Sequence, residues 1–199
     1  MIEIVDIRYV RLGTTDLAAA VRFATEMVGL ELADHDDKRA YLRGDHRDHS
    51  ICYIQGDPNE HVLGFELAGL RELDAAAQEL EANGVAVHDG TDDECAARRV
   101  MKFISFEDPT GNRFDLVARP FDRGKRYFPS RDAGITEFSH VGLRTTDAPR
   151  DEEFWTSLFN IRTNDWIGTA ALLSFDAVHH RIALFPADRP GVQHINFQV

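Results

Sequence analysis

Three places in the chain hold histidines whose spacing suits metal chemistry: His140 in the alternating stretch 138–143, the pair His179-His180, and His194 in 193–199. Successive strand residues point to opposite faces. His140 is therefore expected to share a face with Phe138 and Gly142, while Val141 and Leu143 point the other way. In the last stretch His194, Asn196 and Gln198 share one face. The other carries Gln193, Ile195, Phe197 and Val199; Gln193 apart, it suits packing under a helix, which leaves His194 looking into a polar cavity. His179 and His180 are neighbours and cannot both enter one space. Alternation puts His180 on the side of Ile182 and Leu184 without saying which face is inward. Two histidines from different strands plus a carboxylate can form the facial triad of non-haem Fe(II) oxygenases, which leaves positions open for oxygen and a chelating substrate. A lone strand histidine is as readily a hydrogen-bonded core or surface residue, so the reading depends on what brings these residues together.

The elements that must position them come from a repeat. Residues 4–12 alternate like a strand, and an amphipathic run from Asp16-Leu17 to Met27 stops at Gly29, a favourable helix C-terminus. Short strand candidates follow near 30–34, 39–44 and 49–54, giving a β-α-β-β-β unit. A second unit opens at 61–67 and continues through a helical stretch from Leu70 to Asn83 that Gly84 stops. It closes in strands near 98–106 and 112–118, joined by the tight turn Asp108-Pro109-Thr110-Gly111-Asn112. The segment 119–134, with Pro, Gly, mixed charge and no sustained period, is expected to be a linker. Beyond it the first unit returns at an offset of 131 residues, without a gap from 9–51 to 140–182. Tyr9 falls on His140, Asp34 on Asp165, Asp45 on Asp176, His49 on His180 and Ile51 on Ile182. Repetition over that length marks a duplicated module. A fourth unit opens at 192–199. A strand without its successors leaves an unpaired edge, so the rest of that unit is expected beyond residue 199.

Composition narrows the function classes. With 199 residues, 43% apolar and 28% charged, the chain can bury a core as one large or two smaller domains. A net charge of -12 argues against a nucleic-acid partner. No apolar run approaches the roughly 20 residues that cross a bilayer, and two cysteines, Cys52 and Cys95, are too few for a disulfide framework. The expected setting is the cytoplasm, with no membrane contact.

The tandem units, the Asp108-Pro109-Thr110-Gly111-Asn112 turn before Arg113-Phe114-Asp115-Leu116, the His140-Val141-Gly142-Leu143 strand, the His179 to Leu184 segment and the Gln193-His194 strand resemble the two-domain extradiol dioxygenases of the vicinal oxygen chelate superfamily. The resemblance spans essentially the whole chain. It implies an α+β fold of tandem β-α-β-β-β modules. An N-terminal domain, 1–118, would be catalytically silent; after the linker 119–134, a partial C-terminal domain, 135–199, would carry the metal-site histidines. The implied activity is Fe(II)-dependent cleavage of a substituted catechol by O2 in aromatic-compound degradation, with Mn(II) as a minor alternative. Carried over by residue, His140 and His194 become metal ligands and His180 the acid/base, while the third ligand, a Glu, is expected beyond residue 199. His179 and Asn196 are read as substrate-binding. The first domain departs from the pattern: Tyr9 stands for His140, Val62 or Leu63 for His194, and only Asp115 keeps a carboxylate. A homo-oligomer is expected from the family's habit.

Other features weigh less. The run Asp92-Asp93-Glu94 lacks the alternating spacing of a calcium loop and is expected to be a solvated loop. Two further readings stand beside the dioxygenase: a non-catalytic small-molecule binder of the same superfamily, and another metalloenzyme on this fold, of the glyoxalase or epimerase kind.

Overall fold

The computed structural model describes residues 1–130 and 134–199; positions 131–133 of the expected linker lie outside the described residues. The first unit is β1 (Asp6–Thr14), α1 (Leu17–Arg22), a π-helical continuation (Phe23–Val28), β2 (Glu31–His35), β3 (Arg39–Arg43) and β4 (Ile51–Gln55). Asp16 starts its helix by accepting from Ala19 N at 2.8 Å, which satisfies one of the unpaired first-turn donors. Gly29 ends it at φ 91°, a left-handed conformation that costs glycine little. The second unit is β5 (His61–Leu67), α2 (Leu70–Ala82), β6 (His88–Asp89), α3 (Asp92–Arg98), β7 (Val100–Glu107) and β8 (Arg113–Pro120).

The acidic stretch expected to be a solvated loop is helical. Asp92-Asp93-Glu94 is the first turn of α3, because Thr91 and Glu94 form a reciprocal capping box and the acids favour a helix N-terminus. The two-residue β6 is likewise too short to show a period.

The third unit is β9 (Glu137–Thr145), α4 (Ala148–Leu158), β10 (Arg162–Ile167), β11 (Ala170–Ser174) and β12 (Ile182–Pro186), followed by β13 (Gly191–Gln198). Shifted by 131, the bounds of β1, β3 and β4 fall on those of β9, β11 and β12. Asp147, the counterpart of Asp16, caps α4 through Arg150 N at 3.2 Å.

The strands form two sheets. The larger runs β2-β3-β4-β1-β5-β8-β7-β6 and the smaller β10-β11-β12-β9-β13. In both, the first strand of the unit pairs in parallel with the fourth, Val10 opposite Ile51 and Val141 opposite Ile182. One apolar core joins the sheets: Phe65, Phe106 and Phe114 of the larger pack against Trp155 and Phe159, with Phe138, Val141 and Leu143 in the same cluster. The Asp108 to Asn112 turn pins the two halves with polar bonds. Asn112 Nδ2 donates to the Arg144 carbonyl at 2.9 Å, and its Oδ1 accepts from Gly191 N at 2.9 Å.

Candidate metal-site histidine cluster

A bulge decides where His140 points. On the β9–β13 ladder His140 lies opposite Asn196 but Phe138 lies opposite Phe197, so Ser139 is an extra residue. An inserted residue breaks the two-residue alternation. Phe138 therefore joins Val141 and Leu143 in the core, while His140 turns to the other face with Gly142. This corrects the expectation that His140 and Phe138 share a face. The same bulge sits between Ile7 and Tyr9 in β1, the positions of Phe138 and His140.

A second bulge, between Val192 and His194, takes Gln193 out of the alternation. Gln193 leaves the apolar face and its Oε1 lies 2.8 Å from His194 Nδ1. A glutamine oxygen can only accept, so this contact places a proton on Nδ1 and leaves Nε2 with its lone pair. Gly142 makes room for that ring: a Cβ at this position would stand 2.5 Å from His194 Cε1 and 3.1 Å from the Phe185 ring.

His180 precedes β12 and does not follow its alternation. Ile182 and Leu184 enter the core, while the His180 ring lies 4.2 Å, centre to centre, from that of His140. His140 Nε2 and His194 Nε2 are 3.0 Å apart with the rings nearly perpendicular. His179 is exposed, its Nδ1 3.2 Å from His180 Nδ1. Asn196 is exposed and opposite His140 on the ladder. Thus His140, His180 and His194 meet, His179 stands at the edge, and Asn196 faces outward beside them.

Burial penalises the charged imidazole. Burial first, then the neighbouring His180, His194 and Arg181, push His140 down to about 4. His180 is lowered by burial and by His179 and His194, and His194 by burial. The cluster is therefore uncharged at neutral pH, the state in which imidazole binds a metal.

The matching place between the first and second units is filled differently. Tyr9 donates its hydroxyl to Asp115 Oδ2 at 2.8 Å, Arg98 Nε donates to the same oxygen at 2.7 Å, and the buried His49 stacks on Tyr9 at 5.3 Å. The ladder settles which residue answers to His194: Val62 lies opposite Arg11 as His194 lies opposite Gly142. Asp115 is thus occupied by a phenol and a guanidinium, and Val62 of the second unit puts an apolar side chain where the fourth unit has the imidazole of His194. Gln193 and Arg181, whose contacts shape the second cluster, escaped the sequence reading. The signal for Arg181 was its place beside His180.

The family model of the glyoxalase/bleomycin resistance protein/dioxygenase superfamily matches residues 6–116. An iron-dependent extradiol dioxygenase of Rhodococcus jostii (strain RHA1) is 28% identical, over 96% of this chain and 71% of the relative. A 1,2-dihydroxynaphthalene dioxygenase of Sphingobium xenophagum is 29% identical, over 79% of this chain and 56% of the relative. Among solved structures, a halotolerant catechol dioxygenase superposes with a TM-score of 0.90 at 23% identity, over 100% of this chain and 71% of that one, a likeness of fold. The chain thus spans between about half and about seven tenths of these relatives' length.

Proposed function

The chain belongs to the glyoxalase/bleomycin resistance protein/dioxygenase superfamily, and from that premise we propose that it serves an extradiol ring-cleaving dioxygenase, opening a substituted catechol with O2 in aromatic-compound degradation. The naming of its relatives as extradiol and dihydroxynaphthalene dioxygenases supports this. The observation that carries it is the convergence of His140 and His194, with His180 against His140. The two Nε2 atoms lie 3.0 Å apart, close enough for both imidazoles to serve one metal ion.

His140 and His194 would hold iron(II), with manganese(II) as the variant. A facial triad also needs a carboxylate; among the described residues no group of three or more His, Cys, Asp or Glu side chains is arranged to hold a metal. When bound, the metal supplies chelation of the two catechol oxygens and a place for O2 beside them. His180, neutral at neutral pH, accepts a catechol hydroxyl proton at a ring nitrogen and returns it as the ring opens. His179 and Asn196 contact the substrate at the edge of the cluster. The proposal includes two domains, 1–118 and 135–199, joined by 119–134, a homo-oligomeric assembly and a cytoplasmic setting. No helix among the described residues is long and apolar enough to cross a membrane.

Oxygen uptake tests the activity. The full-length protein loaded with Fe(II), its carboxylate ligand included, and offered a panel of substituted catechols, is expected to consume O2 in step with a yellow ring-opened product. Catechol binding without uptake would replace the enzyme with a binding module of the same superfamily.

A further inference from the structure

Two acids recur at the offset of 131: Asp6 and Asp45 in the first unit, Glu137 and Asp176 in the third. The second acid of each pair closes its own loop, Asp45 Oδ1 accepting from Arg47 N and Asp176 Oδ1 from Val178 N, both at 2.9 Å. In each copy a buried arginine joins the pair, yet it comes from a different position. In the first unit it is Arg47, bonded to Asp45 and, at 2.5 Å, to Asp6. In the third unit Val178 occupies the place of Arg47, and Arg181, in the place of Ser50, supplies the guanidinium.

The new position gives the guanidinium extra partners. Arg181 Nε donates to Asp176 Oδ2 at 2.8 Å and Nη2 to Glu137 Oε1 at 3.4 Å. Its Nη1 reaches the Phe138 carbonyl at 3.3 Å and the Ser139 carbonyl at 2.9 Å. These carbonyls belong to the bulge that turns His140 away from the core. A single side chain, 6% exposed, thus ties the backbone just before His140 to the loop that carries His179 and His180. The planar fork of a guanidinium can serve carboxylates and carbonyls at once, which an ammonium cannot do with the same geometry.

We propose that Arg181 is the positioning residue of the histidine cluster: it joins the Phe138–Ser139 bulge to the Asp176 loop and so fixes His140 against His180 and His194. Its effect on metal affinity rests on the metal-site reading above; its effect on ring geometry does not. Groups that orient metal-binding imidazoles are worth about 10- to 100-fold in affinity.

The decisive variant is Val178→Arg/Arg181→Ser, which moves the arginine to its first-unit position. It keeps the pairing of the acids and releases the bulge carbonyls. Three readouts are compared with the parent: melting temperature, long-range 1H–15N spectra of the imidazoles in metal-free protein, and Co(II) titration. The expected result is a melting temperature close to the parent's, displaced His140 and His180 ring signals, and Co(II) affinity lower by about 10- to 100-fold. Parent-like ring signals and affinity would overturn the proposal and reduce Arg181 to an ordinary ion pair. Arg181→Lys makes the same test if the double variant does not fold, because it keeps the charge and loses the fork; displaced rings are again expected, and unmoved rings again refute. If Co(II) leaves the parent's His140 and His194 signals unmoved, the metal reading fails, and the metal-free ring spectra still decide the role of Arg181.

Discussion

His140, His180 and His194 share a small volume but are held by different means, and their substitutions should separate. In iron-loaded protein, His140→Ala and His194→Ala are expected to lower metal content in elemental analysis, since each removes one of the two convergent Nε2 donors. His180→Ala is expected to retain the metal and slow turnover by about 10²- to 10⁴-fold, the usual weight of a positioned acid or base. Loss of metal in that variant, or unaltered turnover, would undo the assignment. Proton linkage gives a prediction for metal-free protein. Burial lowers the pKa of His49 and of His140, the latter to about 4, so folding keeps both neutral while the unfolded chain takes up their protons below about 6.5. Their contribution is complete above pH 6.5 and is lost as pH falls toward the folded values. Urea midpoints should therefore decline from pH 6.5 to 5. His49→Gln should flatten that decline by up to about 1.4 kcal/mol per pH unit, the weight of one proton; an unchanged slope would show that His49 is not held neutral.

At the level of elements, the site depends on departures from regular strands. The β9 bulge lets Phe138 and Val141 both enter the core while His140 turns out, and the β13 bulge brings Gln193 to His194. Gly142 permits the close crossing of the His194 ring over β9. Gly142→Ala should displace that ring, because the added methyl would stand 2.5 Å from Cε1 in a strand fixed on both sides by β12 and β13. The expected outcome is weakened Co(II) binding with far-ultraviolet circular dichroism unchanged. Unweakened binding would mean that the ring has another place to go. The repeat and the glycine stops were legible because each is a local pattern in types and spacing. Bulges were not, because an extra residue is visible only against the partner strand.

On the scale of the whole molecule, one core serves both sheets. Trp155 of α4 is fully buried and lies 4.7 Å from Phe114 of β8 and 4.7 Å from Phe159, ring centre to ring centre. Calorimetry should therefore show one unfolding transition. Trp155→Ala should lower stability by about 3–5 kcal/mol, as large-to-small changes in a packed core do, and move that single transition as a whole. Two transitions, only one of them moved, would show the halves to be energetically separate.

The sequence alone was enough for the module, its gapless recurrence 131 residues later and the histidines worth watching, since periodicity, glycine stops and repeats are written in local order. Tertiary structure decided which way those histidines face, that Tyr9 of the first unit and Arg98 occupy the Asp115 carboxylate of the second, and that Arg181 joins the loop of His180 to the bulge of His140. Each of these depends on atoms brought together from distant parts of the chain, and a strand's facing and a carboxylate's partner are fixed only when those parts pack.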